Sequence, residues 1–407
     1  MKAVVFHDVG DIRLEEVKEP KIQDPTDAIV RLTASAICGT DLHMVRGTMP
    51  GMKSGTVLGH EGVGVVEEVG KQVRNFKKGD RVVIPSTIAC GSCSYCRAGY
   101  YSQCDTANPN GPQAGTAFFG GPAMTGPFHG LQAEFARVPF AHVGLVKLPG
   151  EVRDDQAIMI SDIFPTGYFG ADLAEIEPGD VVIVFGCGPV GQFAIASAKL
   201  MDAGRIFAVD ALPDRLDMAR AQGAEVINFN EDDPVLAVTE LTRGIGADRA
   251  IDAVGIDAYQ PKSGPAAKAV KAFAGQLKDE YKEVAAEADP SGDNWKPGDA
   301  PSLVLRWAVH CLAKAGTLAV IGVYPQTFGR FPIGMAMNKN LTIQMGNCPH
   351  RRYVPELVEM VRTGTIDPHE VLTKVEPLTS AIDAYKAFDL RQPGWIKVEL
   401  EPATVMA

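Results

Sequence analysis

The sequence contains no run of about 18 apolar residues, the length that a membrane-spanning helix requires. Its first residues include no apolar core of the length found in secretory signal peptides, so a cytoplasmic location is expected. It also has no block of basic residues, and its net charge of −11 argues against electrostatic binding to nucleic acid. We therefore expect neither a membrane nor a nucleic acid as a partner.

What is present is typical of a large globular protein. The chain has 407 residues, of which 46% are hydrophobic and 22% are charged. At about 150 residues per domain, this length predicts two or three domains. A chain of this size can bury enough apolar surface to fold without disulfides. The eight cysteines are therefore expected to serve metal binding or catalysis, because a reducing compartment disfavours disulfides.

The pattern of apolar residues changes near residue 160. Residues 1–160 consist of short β segments broken by glycine and proline, which predicts a mostly β domain. After that point, short apolar runs alternate with helical stretches, which predicts a doubly wound parallel sheet and an overall α/β fold. A surface loop is expected from Cys104 to Leu131. An amphipathic helix from Val270 to Ala288 and a polar turn after it indicate an insertion near residues 257–302.

Four cysteines form the first chemical motif, C-x2-C-x2-C-x7-C. They are Cys90, Cys93, Cys96 and Cys104. Four thiolates at this spacing can close a tetrahedron around a zinc ion, which would then be structural because no coordination position stays open. An iron–sulfur cluster and free buried thiols are the alternatives. The bacterial iron–sulfur motif continues with x3-C-P, and this continuation is not present in the sequence.

A glycine-rich motif follows the predicted strand 181–185 and precedes a predicted helix. Its residues are Gly186, Gly188, Pro189, Val190 and Gly191. The three glycines permit a tight turn, close approach of a pyrophosphate, and close packing of helix on sheet. Asp210 closes the next strand, where a carboxylate binds the ribose hydroxyls of NAD and repels the 2′-phosphate of NADP. Arg215 lies nearby in the next helix and keeps NADP as an alternative.

Together with C-G-T-D-x-H at residues 38–43 and G-H-E-G at residues 59–62, these motifs resemble the zinc-dependent medium-chain alcohol dehydrogenases. The resemblance covers essentially the whole chain. It implies a GroES-like, mostly β catalytic domain of residues 1–160 and 346–407, with a zinc lobe at 90–104. It also implies a Rossmann NAD-binding domain of residues 161–345, two zinc ions per chain, and a homodimer or homotetramer.

The resemblance also assigns roles to individual residues. The catalytic zinc ligands correspond to Cys38, His60 and Asp162, and Glu61 corresponds to a carboxylate that can approach the metal. Asp41 matches an acid that orients the histidine ligand. Thr40 matches the hydroxyl that takes the substrate proton, and His43 matches the end of the proton relay. Such a zinc keeps one coordination position open and acts as a Lewis acid toward an alcohol oxygen.

The aspartate at position 162 departs from the cysteine that many relatives carry there. The string S-D-x-x-P-T-G-Y at residues 161–168 resembles the formaldehyde dehydrogenase branch, as does the insertion. In this comparison Thr166 matches a residue that touches the nicotinamide, and Lys397 matches a basic contact of the pyrophosphate. The implied activity is hydride transfer between a small alcohol or aldehyde and NAD. An aldehyde dismutase with tightly held NAD and a non-catalytic nucleotide-binding protein are the alternatives.

The sequence assigns structural roles to the remaining candidates. Phe118 and Phe119 could shape the substrate pocket or pack as ordinary loop residues. Six histidines have no partner at a ligand spacing and are expected to be surface or core residues: His7, His129, His142, His310, His350 and His369.

Overall fold

The structure is a computed structural model that describes residues 1–111, 114–285 and 292–402. The chain divides into two compact units. The first unit comprises Met1–Pro165, Ala288–Trp295 and Asn347–Ala407, and the second unit comprises Thr166–Glu287 and Lys296–Gly346. The first division falls a few residues after the predicted boundary at residue 160, inside a helix.

Sixteen strands and fourteen helices, numbered in chain order, are present in the described residues. The strands are β1 Lys2–Asp8, β2 Asp11–Glu16, β3 Ala28–Ile37, β4 Thr56–Val57, β5 Gly62–Val69, β6 Arg81–Ile84, β7 Phe135–Val138, β8 Val146–Lys147, β9 Val181–Phe185, β10 Arg205–Asp210, β11 Glu225–Asn228, β12 Ala247–Asp252, β13 Leu312–Val320, β14 Thr342–Met345, β15 Lys374–Pro377 and β16 Val398–Glu401. The helices are α1 Gly39–Val45, α2 Ser94–Arg97, α3 Ala141–Gly144, α4 Asp154–Ser161, α5 Ile163–Leu173, α6 Pro189–Leu200, α7 Pro213–Ala221, α8 Pro234–Leu241, α9 Gly264–Val270, α10 Ala274–Val284, α11 Leu303–Cys311, α12 Ile333–Asn338, α13 His350–Arg362 and α14 Ala381–Asp389. Short 3-10 turns lie at Tyr101–Gln103, Ala123–Thr125, Gly255–Asp257, Lys271–Phe273, Pro368–Val371 and Leu378–Ser380.

The second unit is built on a six-stranded sheet in the order β11-β10-β9-β12-β13-β14. All its strand pairs are parallel. This order is that of a dinucleotide-binding sheet, in which the chain reverses direction across the sheet beside its first strand, β9. The structure thus confirms the doubly wound half of the predicted α/β fold.

Strand β9 shows why the sequence forms this sheet. Its five residues are all apolar, and side chains alternate between the two faces of a strand. Ile183 and Phe185 pack into the core on one face, whereas Val182 and Val184 pack into the core on the other. A strand covered on both faces needs a continuous apolar run rather than an alternating one, which is what this segment supplies.

The first unit contains a three-stranded sheet in the order β2-β1-β4 and a seven-stranded sheet along β15-β16-β3-β5-β6-β8. Strand β7 is the seventh and pairs with β3. Most of these pairs are antiparallel, and the last two strands of the chain, β15 and β16, join the sheet of the first residues. The structure therefore confirms the mostly β half of the predicted fold.

Two segments differ from their predicted form. The predicted helix from Val270 to Ala288 begins earlier, as α9, and a 3-10 turn separates α9 from α10; Ala288 itself lies outside the described residues. The loop from Cys104 to Leu131 was expected at the surface, yet Ala117 and Phe119 are buried in the core of the first unit. Both side chains fill space beside the cysteine motif, which apolar periodicity cannot indicate.

One short part of the insertion, Ala288–Trp295, belongs to the first unit. Trp295 is buried in an apolar cluster with residues of α1 and α14. Asp389 accepts hydrogen bonds from the backbone N–H of Trp295 at 2.7 Å and from Asn294 Nδ2 at 3.0 Å. The same carboxylate forms a buried ion pair with Arg46, which follows α1. This part of the insertion is thus held in the core of the first unit by Trp295 and by the contacts with Asp389.

No helix among the described residues is long and apolar enough to cross a membrane.

The acidic cluster around β16 generates a prediction about stability. Burial and the neighbouring carboxylates of Glu401, Asp155 and Asp154 raise the pKa of Glu399 to about 8, although Lys397 lowers it. The folded state therefore keeps a proton that the unfolded state releases near pH 4.5, so stability falls as the pH rises from about 4.5 to about 8 and levels off above that. Glu399→Gln should flatten the decline in melting temperature between pH 6 and pH 9, by the equivalent of a few kcal/mol.

Differential scanning calorimetry of the zinc-loaded protein at several pH values measures this effect. Glu370→Gln, an exposed carboxylate in the same unit, is the control and should retain the wild-type pH dependence. A Glu399→Gln protein that loses stability with pH as steeply as wild type would contradict the assignment.

Candidate active site

Cys38 stands at the junction of β3 and α1, where it is the N-cap residue of the helix. The carboxylate of Asp41 accepts a hydrogen bond from the backbone N–H of Cys38 at 2.9 Å, which closes the first turn. This turn places Thr40, Asp41 and His43 immediately after Cys38. Thr40 is half-buried, whereas Asp41 and His43 are buried. Nδ1 of His43 lies 2.8 Å from Thr48 Oγ1.

His60 and Glu61 lie in the short segment between β4 and β5. Gly59 before them has a φ of +90°, and a Cβ there would lie 2.4 Å from Cγ of Gln132. The glycine is therefore required both by its backbone conformation and by the packing of Gln132. This turn directs the His60 imidazole into the interior of the first unit, where the residue is 4% exposed.

Asp162 lies at the end of α4 and completes the predicted ligand set. Its Oδ2 lies 3.7 Å from Cys38 Sγ and 3.2 Å from His60 Nε2. One ligand atom from each of these three buried residues lies within 4.8 Å of the other two. Asp162 is more than a hundred positions from the other two residues in the sequence, and the fold brings all three to distances that one metal ion could bridge.

A network of hydrogen bonds orients the histidine of this set. His60 Nδ1 lies 3.2 Å from Asp41 Oδ1. Asp41 Oδ2 in turn accepts from Gln132 Nε2 at 3.2 Å, and Tyr385 donates to Gln132 Oε1 at 2.8 Å. A carboxylate behind a histidine fixes the tautomer that presents Nε2 to a metal. Asp41 therefore occupies the position that the sequence predicted for it.

The ionisable groups at this site form a donor set for a cation. Burial raises the pKa of the Cys38 thiol. Burial also raises the pKa of Asp162, but hydrogen bonds from His350 and His60 outweigh it and hold that pKa well below its ordinary value. The His60 pKa lies well above its ordinary value, because Asp41 and Asp162 outweigh the opposing effect of burial. A soft thiol, an imidazole and a carboxylate together form a donor set that suits zinc.

Glu61 and Lys397 form a second buried pair beside His60. Both side chains are fully buried, and the Lys397 ammonium contacts the Glu61 carboxylate and the Ile37 carbonyl. Lys397 was predicted to contact a pyrophosphate, which stays a prediction; in the first unit its charge faces that of Glu61. The other oxygen of Glu61, Oε1, has no hydrogen-bond partner among the described residues, which fits a carboxylate placed near a cation.

The four cysteines of the first motif also converge. Their ligand atoms lie within 4.8 Å of one another, and Cys93 Sγ is 3.9 Å from Cys104 Sγ. Backbone N–H groups point at the sulfurs, as from Cys93 to Cys90 at 3.4 Å and from Cys90 to Cys104 at 3.2 Å. Burial raises the Cys90 pKa, but hydrogen bonds outweigh this and lower it to about 5. Amide donors stabilise thiolates, so this geometry fits a structural zinc site.

The glycine motif lies in the second unit, between β9 and α6. Gly186 has a φ of +87°, and a Cβ on Gly191 would lie 1.8 Å from the Gly186 carbonyl oxygen. Gly188 caps α6 without a side-chain hydrogen bond, and Pro189 and Val190 form the first turn of the helix. Backbone N–H groups at such a helix start suit a phosphate group.

Asp210 ends β10 next to this turn. Its carboxylate accepts hydrogen bonds from the N–H groups of Cys187 at 2.8 Å and Ala211 at 2.7 Å, which fix its orientation. A Cβ on Gly188 would lie 3.5 Å from Nη1 of Arg215, so that guanidinium also lies beside the glycine motif. Thr166 is half-buried in α5, within the second unit.

Two further residues lie close to the Cys38, His60 and Asp162 set, and the sequence assigned a possible site role to only one of them, Phe118. His350 was expected to be a surface or core residue, but its Nε2 lies 2.6 Å from Asp162 Oδ1. No ligand-like spacing could have indicated it, because the two residues are 188 positions apart. Phe118 was a candidate pocket residue, and its ring lies edge-on to the His60 imidazole with 6.1 Å between centroids.

Known protein families account for this combination of sites. Residues 24–150 match the family described as alcohol dehydrogenase GroES-like domain, and residues 189–268 match zinc-binding dehydrogenase. The chain is 39% identical to the zinc-type alcohol dehydrogenase-like protein AdhB of Bacillus subtilis over 406 residues, which covers 99% of this chain and all of that one. The chain belongs to the zinc-dependent medium-chain alcohol dehydrogenase family. It is an oxidoreductase of a class that uses zinc and a nicotinamide cofactor.

Two further relatives of this dehydrogenase are informative. The chain is 33% identical to a glutathione-independent formaldehyde dehydrogenase of Pseudomonas aeruginosa, with 96% of each chain covered. It also resembles the solved structure of alcohol dehydrogenase TADH from Thermus sp. ATN1, with a TM-score of 0.81, 32% identity, and coverage of 99% of this chain and 100% of that one.

The glycine motif gives a test in which fold and binding respond together. Gly191→Ala places a methyl group against the Gly186 carbonyl, so the turn must shift. We expect lower thermal stability and at least tenfold weaker binding of NADH, measured by fluorescence titration. Gly275→Ala is the matched control, because a Cβ there meets nothing within 4 Å and helical alanine is favoured over glycine by about 0.5–1 kcal/mol. Unchanged NADH binding in Gly191→Ala would contradict the assigned role of the turn.

Proposed function

We propose that this dehydrogenase transfers hydride between a small alcohol or aldehyde and NAD, with one catalytic and one structural zinc ion per chain. The observation that carries the proposal is the convergence of Cys38, His60 and Asp162 on one small buried volume. A non-catalytic protein of the same fold would have no need of these three donors, of Asp41 behind the histidine, or of Thr40 and His43 beside them.

The buried residues of the site would have distinct roles in binding zinc. Cys38, His60 and Asp162 would hold the zinc, which supplies Lewis-acid activation of the substrate oxygen when bound. Asp41 keeps the imidazole of His60 in the orientation that ligation requires. Glu61, neutralised by Lys397, provides a carboxylate close to the ligands without adding net charge to the interior.

Thr40 and His43 would move the substrate proton. The Thr40 hydroxyl lies in the half-buried first turn of α1, two residues after Cys38, and would accept the proton of the substrate hydroxyl. His43 follows one turn later, and Thr48 holds its Nδ1 at 2.8 Å. This contact fixes the ring, so that the imidazole can accept a proton in a defined orientation.

The preference for NAD rests on Asp210. A carboxylate at the end of the second strand of a Rossmann sheet accepts hydrogen bonds from ribose hydroxyls and repels a 2′-phosphate. Gly186, Gly188, Pro189, Val190 and Gly191 would cradle the pyrophosphate, and Thr166 would contact the nicotinamide. Arg215, beside Gly188, supplies a positive charge that Asp210 must outweigh for NAD to be preferred.

The substrate is proposed from Asp162 and from similarity. The aspartate departs from the cysteine of many relatives, and the 33% identical relative from Pseudomonas aeruginosa is named for formaldehyde oxidation without glutathione. We therefore infer formaldehyde or another small aldehyde, oxidised without glutathione. Its hydrate, formed by addition of water, would give a hydride to NAD and a hydroxyl proton to Thr40, which leaves the carboxylic acid. We also infer a reducing compartment, the cytoplasm, because thiolate ligands must stay reduced to hold zinc.

Asp162→Ala tests the function and the ligand assignment together. We expect wild-type protein to contain two zinc ions per chain and to oxidise small alcohols or formaldehyde with NAD faster than with NADP. The variant should lose one zinc and at least a thousandfold of kcat/KM, because a ligand to the catalytic metal is gone. Asp217→Ala, a surface change on α7, should keep both zinc ions and full activity.

Metal analysis and a spectrophotometric screen with and without glutathione provide these readouts. Full activity in Asp162→Ala would show that the ligand assignment is wrong. The dismutase alternative is tested by desalting the purified protein: nucleotide retained after desalting, with turnover in the absence of added NAD, would favour that activity instead.

The edge of the second sheet suggests how the chain self-associates. Strand β14 is an edge strand of the six-stranded sheet, and exposed edges can pair with another chain. Large apolar side chains near it are exposed: Ile333 at 66%, Met337 at 75% and Met345 at 64%. We propose that two copies pair through β14 about a twofold axis, as a dimer or as half of a tetramer.

Light scattering after size-exclusion chromatography tests this arrangement. The variant Met337→Lys with Met345→Lys should lower the molar mass to that of a smaller assembly, because charge is introduced into the proposed interface. Leu236→Lys, at an exposed position on α8, is the control and should leave the mass unchanged. A monomeric wild-type protein, or an unchanged mass in the double variant, would contradict the proposed interface.

A further inference from the structure

The two oxygens of Asp162 face different partners. Oδ2 lies 3.2 Å from His60 Nε2 and 3.7 Å from Cys38 Sγ, on the side of the proposed metal. Oδ1 lies 2.6 Å from His350 Nε2 and 3.1 Å from Ser86 Oγ. The carboxylate is therefore divided between one oxygen for a metal and one oxygen held by the protein.

We propose that His350, assisted by Ser86, is a positioning residue that keeps Asp162 a one-oxygen ligand of the catalytic zinc. The inference rests on the proposed function, because it assigns the ligand set to zinc. His350 donates from Nε2 to Asp162 Oδ1, and Ser86 donates to the same oxygen from its hydroxyl. With Oδ1 engaged twice, Oδ2 is the atom that remains directed at the other ligands.

The contacts of His350 favour a ring that donates from Nε2. Thr87 Oγ1 lies 3.2 Å from Nδ1 and can donate to it. The residue is only 3% exposed, so water does not compete for these contacts. A ring that accepts at Nδ1 must carry its hydrogen at Nε2, which faces the carboxylate.

The fold holds this arrangement from three sides. His350 is the first residue of α13, and α13 packs against α4, whose C-cap residue is Asp162. Ser86 and Thr87 follow strand β6, and the backbone N–H of Ser86 donates to the Ser161 carbonyl at 3.1 Å. A shift of α13 would therefore also move His350, the hydrogen-bond partner of Asp162.

A positioning role has a measurable consequence for metal binding. Removal of a group that hydrogen-bonds to a metal ligand lowers the metal affinity about 10- to 100-fold. Without His350, the carboxylate can rotate or present both oxygens, which changes the coordination geometry. We expect the loss of His350 to leave the four-cysteine site unaltered.

The test compares His350→Leu with His350→Gln in the full-length protein. Leucine removes the donor at similar volume, whereas the glutamine amide can still donate toward Asp162. The readouts are zinc affinity by chelator competition, zinc ions per chain, and the visible absorption spectrum after substitution of cobalt at the catalytic site. His310→Leu, on α11 of the second unit, is the matched control.

We expect His350→Leu to weaken one zinc site about 10- to 100-fold and to shift the cobalt spectrum. His350→Gln should keep most of the wild-type zinc affinity and a cobalt spectrum close to that of wild type. His310→Leu should match wild type in both measurements. Wild-type affinity and spectrum in His350→Leu would overturn the proposal. Equal losses in the leucine and glutamine variants would also overturn it, because the donor would then not be the cause.

Two further results keep the test decisive. If His350→Leu does not fold, Ser86→Ala removes the other donor to Oδ1, and wild-type affinity and spectrum in that variant would overturn the proposal. If wild-type protein binds zinc at both sites but oxidises no substrate, the proposed function fails while the inference about His350 stands, since the metal readouts do not depend on turnover.

Discussion

Buried negative charge is the constraint on which the first unit depends. The carboxylates of Asp41, Glu61 and Asp162 and the thiol of Cys38 are all buried, and Lys397 is the lysine among them. Ionised groups are costly to remove from water unless each is paired or hydrogen-bonded. Each carboxylate here has its own partners, and a divalent cation would complete the balance.

The fold meets this constraint by bringing chain ends and turns to one place. The first turn of α1 supplies Cys38 and Asp41, the segment before β5 supplies His60 and Glu61, and the end of α4 supplies Asp162. The last strand, β16, adjoins β3 in the seven-stranded sheet, and Lys397 immediately precedes it. The C-terminal segment is thus part of the first unit in spite of its distance in the sequence.

The sequence predicted the parts of the site that have local signatures. The four cysteines and the glycine motif each have a spacing that is tied to a chemistry, and family resemblance supplied the roles expected of Cys38, His60 and Asp162. The contacts of Lys397 with Glu61 and of His350 with Asp162 could not be predicted in this way, since the partners lie 336 and 188 positions apart. The contact of Lys397 with a pyrophosphate stays a prediction. The crossing of the insertion into the first unit depends on Trp295 and Asp389, which likewise have no local signal.

The central claim is that one zinc is held by Cys38, His60 and Asp162 while another is held by the four cysteines. A crystal structure with anomalous diffraction measured on both sides of the zinc absorption edge tests it most directly. The account predicts two zinc peaks per chain, one among the four cysteine sulfurs and one bonded to Cys38 Sγ, His60 Nε2 and Asp162 Oδ2, with His350 bound to Oδ1. A single peak, or a second zinc coordinated by His350 in place of Asp162, would contradict it.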